Sequence, residues 1–285
     1  SPKNYENDYV GSITYRYALQ HSRNVAAVKI ADEVGMTKVI KLAKEMGIST
    51  LTDQDYNLST ALGGLTHGVT PLEMVQAYGV LANGGIKVQP TAILKIVDRN
   101  GQVVEEHSIQ EKRVVDEKDA AIITNMLESV INGGTGGNAA IGRPAAGKTG
   151  TTDDSKDAWF VGYTPDLVAA VWIGDDYGSE TLRGMTGGDT PAIMWGQFMA
   201  NALANTPASD FSVPSSAQSA IAEGYFNPVK VQPKKDDKKD DKADKKDDKD
   251  KSKDEAVKDD SGSKDDATEQ KSNSSKSKKS SKKDR

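Results

Sequence analysis

The chain has 285 residues, three histidines and no cysteine, which excludes a disulfide framework and a thiolate metal centre. Its formal net charge is -5, but from Lys234 onward lie 19 of the 37 basic and 16 of the 42 acidic side chains, leaving 18 against 26 in the body. An acidic body without a basic stripe argues against nucleic acid as a partner. No apolar run approaches the roughly 18 residues of a membrane span, so any anchor of the parent protein is expected upstream of Ser1.

Composition also divides the chain. Residues 231–285 are almost entirely Lys, Asp and Ser, too poor in apolar surface to offset ordering entropy, and are expected to form a disordered, solvated tail. Residues 1–230 are expected to fold as one domain, a length that normally buries a substantial core.

Taken in chain order, Thr14 is placed to cap a short helix through Gln20. A second helix runs from Val25 to Val34, stopped by Gly35, and a third from Met36 to Met46, closed by Gly47. His21-Ser22-Arg23-Asn24 forms a tight connection between the first two. Thr70-Pro71-Leu72-Glu73 carries a capping box with proline at the first helical position, opening a helix to about Asn83. Ile86 to Val97 reads as strand, and Asn100-Gly101 before Val103-Val104 signals a hairpin. Helix spacing returns from Glu117 to Ile131. A glycine-rich loop from Gly133 to Gly147 then delivers Lys148-Thr149-Gly150-Thr151 to the start of an edge strand. Trp159–Tyr163 and Leu167–Ile173 read as strands buried on both faces, joined by Thr164-Pro165-Asp166. Thr190-Pro191 opens a final helix to about Leu203. This order predicts an α+β fold, with helices on an antiparallel sheet.

Two short elements carry the chemistry. Ser22-Arg23-Asn24 offers a hydroxyl and a carboxamide two residues apart, and a turn can present both to one cavity while Arg23 points elsewhere. Lys148-Thr149-Gly150-Thr151 lines an edge strand with an ammonium and hydroxyls, and Gly150 leaves the backbone open to a ligand. A peptide with a free C-terminal carboxylate can add there as an extra strand, its carboxylate held by Lys148 and the threonines. The Thr151 amide would then face the scissile carbonyl as half of an oxyanion hole. His21, His67 and His107 lack ligand spacing and read as structural, so no metal or cofactor is expected. Trp159, Trp172 and Trp195 read as core. Gly133–Gly137 lacks the ending of a phosphate loop.

Ser-x-Asn followed by Lys-Thr-Gly belongs with Ser-x-x-Lys to the motif trio of active-site-serine penicillin-binding proteins and β-lactamases. The surrounding blocks extend the likeness: Ala18 to Val25, Leu62 to Glu73, Ala82-Asn83-Gly84-Gly85, Gly147 to Thr152 and Trp159 to Pro165. Over roughly Tyr9 to Leu203 the chain resembles the C-terminal part of the transpeptidase domain of class A (bifunctional) penicillin-binding proteins. The resemblance implies a partial β-lactamase/transpeptidase-like fold, a helical subdomain plus antiparallel sheet lacking its first strands and the Ser-x-x-Lys helix. It implies a D,D-transpeptidase that cross-links peptidoglycan stem peptides through an acyl-enzyme, with a D-Ala-D-Ala donor, an amine acceptor and β-lactams as ligands, at the extracytoplasmic face of a bacterial membrane. Other cell-wall synthesis proteins are possible partners. Ser22 matches the serine that relays a proton to the leaving amine and Lys148 the lysine that attracts the carboxylate and polarises Ser22. Asn24 matches the asparagine that holds the donor amide, and Thr149, Gly150 and Thr151 line the substrate.

No Ser-x-x-Lys occurs between Ser1 and Pro233; matches such as Ser261 to Lys264 lie in the tail. The acylating serine is therefore absent from this chain, which is expected to be inactive alone and prone to unfold or to aggregate through an exposed strand edge. A related serine β-lactamase or D,D-carboxypeptidase, and a non-catalytic wall-binding or sensor module, are the competing readings.

Overall fold

A computed structural model describes residues 3–5 and 8–222. The chain divides into two units, Ser1–Gln232 and Pro233–Arg285; the second unit, with the expected tail, lies outside the described residues. No described helix is long and apolar enough to cross a membrane.

The helical half opens with α1 (Tyr15–Gln20), α2 (Asn24–Val34) and α3 (Met36–Met46). Thr14 accepts a hydrogen bond from the Tyr17 amide, which the sequence anticipated, while Arg23 at the cap of α2 makes no side-chain cap bond. A distant group substitutes there: buried Asn4 accepts from the Val25 amide at 3.2 Å. Arg16 fixes α1 to the later helix α5 (Glu117–Ile131), donating to Asn125 O at 2.8 Å and to Ser129 Oγ and Asn125 Oδ1 at 2.6 Å each.

Helix α4 (Pro71–Ala82) begins at the Thr70–Glu73 capping box. The predicted strand Ile86–Val97 is in fact two, β1 (Ile86–Val88) and β2 (Lys95–Val97). Pro90 lies between them, and proline cannot donate to a ladder. β2 pairs with β3 (Val103–Glu106) as the expected hairpin, while β1 pairs with β4 (Glu111–Arg113). The hairpin loop is organised by Asp98, whose carboxylate accepts from the Asn100 and Gln102 amides at 2.8 Å each.

The main sheet is β5 (Ala146–Thr151), β6 (Asp157–Tyr163) and β7 (Val168–Gly174), antiparallel in the order β5-β6-β7. The period of two sends alternate residues to opposite faces. Ala146, Tyr163 and Val168 meet Leu127 and Val130 of α5 and Tyr78 and Leu81 of α4. On the other face Phe160, Ala169 and Val171 pack on Trp195 and Met199 of α6 (Thr190–Ala202). The Trp195 indole N–H donates to Ala169 O at 3.1 Å, and a Cβ on Gly162 would sit 3.0 Å from its ring. Of the three tryptophans only Trp195 is core; Trp159 and Trp172 are half-buried and tilted against each other, with centroids 6.1 Å apart. Burial on both faces holds for most of β6, but β7 is half-buried throughout. β6 lies between two strands, whereas among the described residues β7 is paired on one side only. Helix α6 is followed by α7 (Ser215–Ala222).

Glu73 anchors more than its own helix. Its carboxylate accepts from the amide and hydroxyl of Thr70 and also from Ser49 N and Oγ and Thr50 N, at 2.6 to 3.0 Å. Burial pushes this carboxyl up, but the bonds from Thr70, Ser49 and Thr50 outweigh it and hold the pKa at about 2. A depressed folded pKa contributes stability above the unfolded value of 4.5 and loses it as pH falls through about 2. Glu73→Gln should therefore cost roughly 2–3 kcal/mol at neutral pH and flatten the acid limb of stability between those values. Urea melts of both chains at a series of pH values check this.

Candidate active site

The Ser22 turn is built by the end of α1. The Ser22 amide donates to Leu19 O at 3.2 Å and the Arg23 amide to Ala18 O at 2.8 Å, the paired bonds of a Schellman ending. In that motif the residue after the cap takes the left-handed conformation, where glycine is usual; here Ser22 takes it, with φ 51°. A serine there costs about 1 kcal/mol relative to glycine, so the hydroxyl is kept against a local preference. The Arg23 side chain is paired with Asp8 at 2.6 Å and lies over the Tyr17 ring.

Across from the turn lies β5, an edge strand of the sheet among the described residues, which carries Lys148. Its ammonium donates to Ser22 Oγ at 2.8 Å, Thr149 O at 3.0 Å and Thr149 Oγ1 at 3.3 Å. Burial pulls the amine down to about 8 from 10.5. Because the folded pKa is depressed, the native state loses stability as pH falls from 10.5 through 8 and levels off below. At neutral pH the amine remains an ammonium, a positive charge held ready at the strand edge.

Thr149 Oγ1 also lies 2.7 Å from Thr135 Oγ1, and Thr151 Oγ1 accepts from the Gly187 amide at 3.0 Å. The backbones crowd here. A Cβ on Gly187 would stand 2.2 Å from Trp159 O and 2.5 Å from Gly150 O, and one on Gly150 3.2 Å from Trp159 Cβ. Gly150 thus serves close packing against Trp159. Asn24 stands at the first turn of α2, where its Nδ2 donates to Lys3 O at 3.1 Å. The structure therefore brings Ser22, Lys148 and Thr149 into one hydrogen-bonded group, with Thr151 two residues along the strand and Asn24 two residues along the turn. Sequence reasoning missed Asn4, Asp8, Arg16 and Thr135. The one available signal was a hydroxyl residue inside the glycine run Gly133-Gly134-Thr135-Gly136-Gly137.

Helices on both faces of an antiparallel sheet, with a Lys-Thr-Gly strand at its edge facing a Ser-x-Asn turn, define the penicillin-binding transpeptidase class of fold. The chain belongs to that family: the penicillin binding protein transpeptidase domain matches residues 2–181. Among curated relatives, penicillin-binding protein 1A of Aquifex aeolicus (strain VF5) is 40% identical over 214 residues, 75% of this chain and 29% of that protein. Penicillin-binding protein 1A of Clostridium botulinum (strain Hall) is 39% identical over 223 residues, 77% of this chain. The chain thus spans less than a third of the length of these relatives, 29% and 27%. The crystal structure of penicillin-binding protein 1A from Haemophilus influenzae superposes with a TM-score of 0.70 at 28% identity, over 75% of this chain and 38% of that one. The PonA1 protein from Mycobacterium tuberculosis, solved in complex with penicillin V, gives 0.66 at 30% identity, over 75% and 62%.

The strained serine supplies a test of the turn geometry. Ser22→Gly and Ser22→Ala both remove the hydroxyl, but only glycine relieves the left-handed backbone. Urea denaturation should find Ser22→Gly the more stable by about 1 kcal/mol; equal stabilities would mean the turn is not left-handed at residue 22.

Proposed function

We propose that this chain is the C-terminal part of a D,D-transpeptidase domain that cross-links peptidoglycan stem peptides through a serine acyl-enzyme, at the extracytoplasmic face of a bacterial membrane. The observation that carries the reading is the 2.8 Å bond from Lys148 Nζ to Ser22 Oγ, joining two motifs 126 positions apart in a chain of this family.

In this reading a stem peptide ending in D-Ala-D-Ala lies along β5, its carboxylate drawn by the Lys148 ammonium and the hydroxyls of Thr149 and Thr151. Gly150 leaves the strand face open for it. Asn24 exchanges its bond to Lys3 O for the donor amide. Ser22, polarised by Lys148, relays the proton given up by the attacking serine to the leaving D-Ala nitrogen as the C–N bond breaks and the acyl ester remains. A β-lactam enters as a mimic of the same donor. The attacking serine and its lysine base are not supplied by Ser1–Pro233, which contains no Ser-x-x-Lys. In this reading the 285 residues alone form no acyl-enzyme.

Labelled penicillin tests this. The isolated chain should carry no label on a denaturing gel. The parent should form a long-lived adduct rather than turn penicillin over, and Ser22→Ala in the parent should slow peptide cross-linking about 100-fold or more. Label on the isolated chain, rapid turnover by the parent, or an unaffected Ser22→Ala parent would each overturn the assignment.

A further inference from the structure

Resting on that reading, we propose that Thr135 is a positioning residue of the carboxylate subsite, holding Thr149 as a hydrogen-bond donor to an incoming C-terminal carboxylate. A threonine hydroxyl has one proton to give and two lone pairs to receive. Lys148 donates into Thr149 Oγ1, and an ammonium has no lone pair with which to take anything back. Thr135, 2.7 Å away, is therefore the neighbour that decides where the Thr149 proton goes. In the empty site either hydroxyl can be the donor of that bond. A carboxylate has no proton to offer, so when it arrives Thr149 must donate to it, and Thr135 rotates to donate into the lone pair this leaves. Both acceptor sites on Thr149 are then filled, its proton has one direction left, and the chain of bonds from Thr135 through Thr149 to the anion reinforces itself.

The loop around Thr135 is fixed for this task. The Thr135 amide donates to Gln20 O at 3.2 Å, two residues before Ser22. A Cβ on Gly134 would stand 2.4 Å from Gln20 O, and one on Gly188 would stand 2.4 Å from Thr135 O. The Asn138 side chain donates to Gly188 O at 2.8 Å. The Thr135 backbone is thus clamped between the end of α1 and the turn before α6, while its hydroxyl faces the open strand. This one residue touches both halves of the site, through its backbone to the Ser22 turn and through its side chain to β5.

The test uses the full chain and an acetylated L-Lys-D-Ala-D-Ala tripeptide, as free acid and as C-terminal amide, titrated by NMR. Wild type should prefer the acid. Thr135→Val should weaken acid binding about 5-fold and leave amide binding unchanged, Thr135→Ala should behave likewise, and Thr135→Ser should bind as wild type does. Backbone amide shifts away from the loop report that each variant is folded. No acid preference in wild type would overturn the carboxylate reading of the whole strand. An acid preference in wild type that Thr135→Val and Thr135→Ala retain would overturn the role of Thr135 alone. A loss shared equally by acid and amide, unrescued by serine, would make Thr135 merely structural.

Discussion

A lysine ammonium drawn out of water must find acceptors, and Lys148 finds them in Ser22 Oγ and in the carbonyl and hydroxyl of Thr149. Thr149 is its chain neighbour and comes with the strand. Ser22 lies 126 positions away and must be delivered by a different part of the fold. Burial disfavours the charged form and pulls the amine down to about 8, and the bond to Ser22 offsets some of that loss. The contact therefore does two things at once: it satisfies a partly desolvated charge, and it joins the helical half to the sheet along the proposed substrate track.

Much of the remaining architecture can be understood as holding those two groups still. Arg16 fixes α1 to α5, and α5 lies against the same face of the sheet as Ala146 and Tyr163. The Ser22 end of α1 and the Lys148 strand thus share one helix as a reference. From the other face, the Trp195 indole bonds Gly162 O and Ala169 O and sits on the glycine at the far end of β6. Asn4 and Asp8 restrain the turn from outside, one capping α2 and the other pairing Arg23. Strain at Ser22 persists because the surrounding bonds over-determine it.

What the sequence made legible follows the range of the interactions. Signals confined to one turn were read well: the Thr14 cap, the Thr70–Glu73 box, Gly35, and the start of α6 at Thr190-Pro191. Glu73 was legible as a cap but not as the acceptor for Ser49 and Thr50, because those bonds cross between segments. β4 was missed since Glu111-Lys112-Arg113 has no apolar pattern and exists as strand only through pairing with β1. The half-buried state of β7 depends on what stands beside it, which an apolar run does not encode. In the site, Ser22, Asn24 and Lys148 to Thr151 were named from motif and resemblance, yet Thr135 was not. A threonine between glycines reads as loop, and its meaning lies in a hydroxyl contact to a strand 14 residues on.

Family membership gives these contacts a shared frame, since this chain and two penicillin-binding structures superpose over 75% of its length. Within that frame, the bond from Lys148 to Ser22 is what joins the two motifs. A double-mutant cycle on Ser22→Ala and Lys148→Met, followed by urea denaturation of the four chains at pH 7, measures that bond most directly. The account predicts non-additivity, with a coupling of roughly 1–3 kcal/mol. Strictly additive losses would mean that the ammonium and the hydroxyl do not meet, and the proposed site would lose its centre.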